Sequence, residues 1–113
     1  MPAIGEIRKQ EIGSSLVLTV WLSMNANVQV HMEKRGEKVI GGDVTFWVFT
    51  EPFEGGPSPA QVGDDWESGV KRVEWWLSGN VKYRANLVLQ RHGYAAMYCT
   101  NMPGCNCENH KAA

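Results

Sequence analysis

The sequence has no apolar run approaching the roughly 18 residues needed to cross a membrane; polar residues break every hydrophobic stretch. It has no imbalance of charge, with 11 Lys and Arg against 12 Asp and Glu. That excludes a global basic field for nucleic acid. It has little cysteine: three residues, at positions 99, 105 and 107. An odd number crowded at one end is a poor disulfide framework. The opening residues, Met1-Pro2-Ala3-Ile4-Gly5-Glu6, lack the basic region and apolar block of a secretory signal. These features predict a protein of the cytoplasm, with no membrane partner.

What the chain does contain is enough apolar residue to fold. A hydrophobic content of 43% is ordinary for a globular protein and too high for a disordered one, and 113 residues correspond to one domain, 1–113. Five tryptophans are many for this length. Tryptophan favours cores, interfaces and stacking platforms, so the composition fits binding.

The stretch from Ser15 to Thr50 reads as three consecutive antiparallel strands. Leu16, Leu18, Val20 and Leu22 alternate with Val17, Thr19, Trp21 and Ser23. Successive strand side chains point to opposite faces, so one face is wholly aliphatic. Met24 to Asn27 supplies a turn, and Val28, Val30 and Met32 then alternate with Gln29, His31 and Glu33. After the polar turn at Arg35 to Lys38, Gly41-Gly42 marks a bulge or bend. Val44, Phe46 and Val48 then oppose Thr45, Trp47 and Phe49. The second face therefore gathers Trp21, Trp47 and Phe49. Aromatic strand residues usually belong to a core, which predicts a covering layer; left uncovered, the face is a binding surface.

Residues 1–13 read as a lead-in or edge strand. Residues 51–63 hold three prolines and three glycines and read as a loop. Trp66, Val70, Val73 and Leu77 recur at helical spacing, capped by Asp64 or Asp65 and ended at Gly79-Asn80. Val81, Tyr83, Ala85, Leu87 and Leu89 alternate with polar residues and read as a strand, returning through His92-Gly93 to a last strand over 94–100. The expected fold is α+β and mostly antiparallel: three N-terminal strands, one helix and a C-terminal hairpin. An all-β sandwich or barrel is the alternative.

Two features bear chemistry. Cys99, Cys105, Cys107 and His110 fall within twelve residues of a C-terminal tail, 99–110. Three thiolates and an imidazole are the ligand set of a closed structural zinc site, and Pro103-Gly104 provides a turn to bring them together. Separately, Lys71, Arg72, Lys82 and Arg84 make the 71–91 segment basic. With Trp75 beside them they outline a surface for an anionic partner. No nucleophile–base pair or phosphate-cradling loop stands out. The sequence thus predicts a small non-catalytic protein-binding domain, accessory or inhibitory, clipped by zinc. The alternatives are a nucleic-acid-binding module using the basic segment, and a metal-dependent enzyme.

Overall fold

The structure, a computed structural model, describes residues 4–98. Five strands form one antiparallel meander in chain order: β1 (Ile7–Ile12), β2 (Ser15–Ser23), β3 (Ala26–Arg35), β4 (Lys38–Val48) and β5 (Glu51–Pro57). Two helices follow, α1 (Trp66–Gly79) and α2 (Val81–Arg91). The central strands lie where alternation places them. Leu16, Leu18, Val20 and Leu22 of β2 are buried beside Val28, Val30 and Met32 of β3 and Val44, Phe46 and Val48 of β4.

Both helices cover that aliphatic face. Val73, Trp76 and Leu77 of α1 join Val81, Ala85, Val88 and Leu89 of α2 in one core with the sheet. Each valine and leucine among them contributes roughly 1.5–3 kcal/mol on burial. Asp65 caps α1, accepting from the Ser68 amide. Asp64 braces the entry instead, accepting from the Gln61 amide at 2.9 Å and the Arg72 guanidinium at 2.7 Å. At the end of its first turn, Gly69 lets α1 approach closely: a Cβ there would lie 3.0 Å from Val39 and 3.4 Å from Ala60. That closeness offsets the roughly 0.5–1 kcal/mol a helical glycine costs.

Three expectations are corrected. First, residues 51–57 are a strand, not a loop. Proline is tolerated on an edge strand, and β5 is one; Pro52 and Pro57 pair in register with Trp47 and Asp43. Second, the segment from Val81 is helix α2, not a strand. Val81, Ala85 and Leu89 satisfy a period of two and a helical repeat of four alike. Val88 and Leu87 decide between them, Val88 being buried and Leu87 43% exposed, with Tyr83 51% exposed. Third, Tyr94 to Met97 has no regular structure, so no hairpin follows. The buried Asn86 amide does what a neighbouring strand would have done. Its Nδ2 donates to the Tyr98 carbonyl at 2.8 Å, and its Oδ1 accepts from the Tyr98 amide at 3.0 Å.

The helical assignment of α2 makes a clear prediction. Replacing Leu89 with Ala removes a fully buried side chain and costs about 2–5 kcal/mol in urea unfolding. Leu87→Ala costs within about 0.5 kcal/mol, as exposed substitutions do. Equal losses at both positions contradict the helix.

Candidate binding surface

The sheet face away from the helices carries the second set of side chains. Cross-strand register builds it in rows. Trp21 on β2, Asn27 on β3 and Trp47 on β4 form one row, and Thr19, Gln29 and Thr45 form the next. His31 lies beside Asp43 in the third, with its Nε2 3.7 Å from Glu33. The tryptophans are two strands apart, hence roughly 10 Å. All these side chains are half-buried except Asp43, which is exposed. Among the described residues no strand or helix packs over them, where a covering layer is expected, although the Asn27 Oδ1 and Trp47 Nε1 atoms are shielded from solvent and have no hydrogen-bond partner among those residues. Two helices suffice for the aliphatic face, and both turn their apolar residues toward it.

The Trp21–Asn27–Trp47 row is the last before two adjacent turns. Ser23 to Ala26 joins β2 to β3, and Phe49-Thr50 joins β4 to β5. The Phe49 amide donates to the Asn25 carbonyl at 2.6 Å, tying the turns together. Phe49 is therefore not a strand residue as expected. It occupies the left-handed region at φ 57° and is 59% exposed. That conformation costs an L-residue roughly 1–2 kcal/mol, and glycine would avoid it. Met24, on the neighbouring turn, is exposed too. One end of the sheet thus carries two half-buried tryptophans leading to two exposed apolar tips. The strained Phe49 was not legible from composition, because alternation simply continued through it.

Tyr98 belongs to this same end. It lines a small void with Leu22, Ala26 and Val48 beneath the turns. Burial pushes its phenol above the ordinary pKa of 10.0, and the Ser23 hydroxyl opposes that shift. Ser23 is close enough to lower the pKa but does not close a well-formed hydrogen bond, leaving the phenol oxygen buried without a partner. Cys99 is the next residue in the chain. Cys99, Cys105, Cys107 and His110 all lie outside the described residues. Among the described residues, no group of three or more His, Cys, Asp and Glu is placed to hold a metal.

The basic set does not assemble as one surface. Lys71, Arg72 and Trp75 share the outer face of α1 at three- and four-residue spacing, and Trp75 is 66% exposed. Arg72 is paired with Asp64. A strand would have put Lys82 and Arg84 on one face. In a helix, residues two apart diverge by about 200°. Arg84 turns back over the Trp76 ring, 5.7 Å from its centroid. The exposed Trp75 is in the helical layer, opposite the Trp21 and Trp47 face. Among the described residues no helix is long and apolar enough to cross a membrane.

No protein family, curated protein or solved structure matches this chain.

The buried phenol links stability to pH. Its raised pKa means the fold favours the neutral form, so the stabilisation is present below pH 10.0 and lost as pH rises through the folded-state value. Stability followed by urea unfolding therefore falls more steeply above about pH 10 in the wild type than in Tyr98→Phe. Parallel profiles would contradict the assignment.

Proposed function

We propose that the protein is a non-catalytic binding domain whose partner is another protein, engaged by the sheet face away from the helices at its Trp21, Trp47, Met24 and Phe49 end. The observation that carries this reading is Phe49, an exposed aromatic held in a backbone conformation that a glycine would adopt without strain. Strain at an exposed position is retained where the side chain itself is used. The surroundings support it. An aromatic row bordered by Gln29, Thr45 and His31 has the composition of a protein interface, with rigid apolar anchors beside hydrogen-bonding groups. A cytoplasmic accessory or inhibitory role suits the size and the even charge.

The Cys/His tail completes the proposal. Zinc held by Cys99, Cys105, Cys107 and His110 would close the tail, and its binding energy would count as folding energy. The Asn86 clamp supports this reading, because it fixes the backbone of Tyr98 immediately before the first ligand. The nucleic-acid reading has less behind it, since Arg72 and Arg84 are engaged within the fold and Lys82 diverges from Arg84.

Phe49→Gly tests the first part. It raises stability by up to about 1 kcal/mol in urea unfolding, by relief of the left-handed conformation. It also abolishes retention of the partner proteins that the immobilised wild type captures from a cell extract. Trp21→Ala acts in the same direction on capture. Unchanged capture by both variants overturns the assignment, and captured nucleic acid that is released by salt supports the rival reading.

Metal analysis tests the second part. Elemental mass spectrometry finds about one zinc per chain, and chelation lowers the melting temperature. A metal-free protein with all three thiols reactive removes the zinc clip.

A further inference from the structure

The two edges of the sheet differ. β5 carries Pro52 and Pro57, which remove amide donors from that edge, and a register shift opposite Val44 and Thr45. β1 has no proline and no register shift, and among the described residues no strand pairs with its outer side. Exposed Ile12 ends the strand and exposed Ile4 precedes it. On the helix side of β1, a groove of about 370 Å³ is left open, floored by Leu16, Trp66 and Val70. Lys9 bridges to Glu74 of α1 at its wall.

We infer that β1 is the contact between two copies of this chain, paired antiparallel about a two-fold axis through Gln10 to make a continuous ten-stranded sheet. The argument is one of register. A two-fold axis between antiparallel strands is perpendicular to the sheet, so each residue faces one on the same side of the partner strand. The residue numbers of each facing pair then sum to an even number. Within β1, a sum of 14 or 24 pairs only one residue of each copy, too little for a ladder. A sum of 16 sets Arg8 against Arg8, a sum of 18 sets Lys9 against Lys9, and a sum of 22 sets Glu11 against Glu11. All three place like charges face to face, which is unfavourable. A sum of 20 alone opposes Lys9 to Glu11 twice, Gln10 to Gln10 once, and Arg8 to Ile12 twice. Lys9 then lies between Glu74 of its own helix and the facing Glu11. The same placement sets the two Trp66 and Val70 grooves opposite each other across the axis, closing apolar surface that each copy leaves open. The inference is independent of what the Trp21 and Trp47 face binds.

The test is sedimentation equilibrium of the full chain from about 1 μM to 1 mM, the range where weak dimers dissociate. The wild type sediments as a dimer at the upper end. Lys9→Glu and Glu11→Lys, each confirmed as folded by circular dichroism, are each weakened in self-association by about tenfold or more. An equimolar mixture of the two restores the dimer, because both pairs between positions 9 and 11 are again of opposite charge. A wild type monomeric throughout overturns the inference. So does a dimer indifferent to both substitutions, which would place the contact elsewhere. If either variant fails to fold, the wild-type result and the other variant still decide.

Discussion

Everything in this fold depends on a one-sided sheet. β2, β3 and β4 place aliphatic side chains on a single face, and that face must leave water. Nothing in the meander itself can cover it, because successive antiparallel strands only widen the sheet. The two helices are the answer to that demand, and their apolar stripes point at it. Gly69 shows how closely the layers meet, since even one added methyl group would press on Val39. The face that remains is free to carry residues chosen for something other than stability.

The legible part of this architecture was the part with a single period. β2 to β4 follow strict alternation and α1 follows a clean helical repeat with an aspartate cap, so each lay close to where its sequence indicated. α2 was misread because residues spaced by four satisfy strand and helix patterns together. The one discordant pair, Val88 in and Leu87 out, carries little weight before the neighbours are known. β5 was hidden by its prolines, which forbid a central strand but not an edge. Residues 94–98 alternate but form no strand; at Tyr98 the Asn86 amide satisfies the backbone groups that a ladder would have claimed.

For the candidate surface the outcome was mixed. Trp21 and Trp47 were picked out correctly as sharing a face. Whether that face was covered depended on how many helices the chain would make, which a misread α2 obscured. Alternation places Phe49 on a strand, whereas it sits in a turn in the left-handed region, a conformation that the pattern does not encode. The basic set came apart for the same reason α2 was misread. Strand geometry joins residues two apart, and helix geometry separates them.

The prolines of β5 have a consequence for how far this molecule can assemble. A sheet whose two edges both accept a neighbour adds copies without limit and grows into a filament. Here Pro52 and Pro57 interrupt the row of amide donors along one margin. An association that spends the opposite margin leaves only this interrupted edge to a third copy. On that inference, pairing through β1 stops at two copies, because the margin left over on each is the one broken by proline.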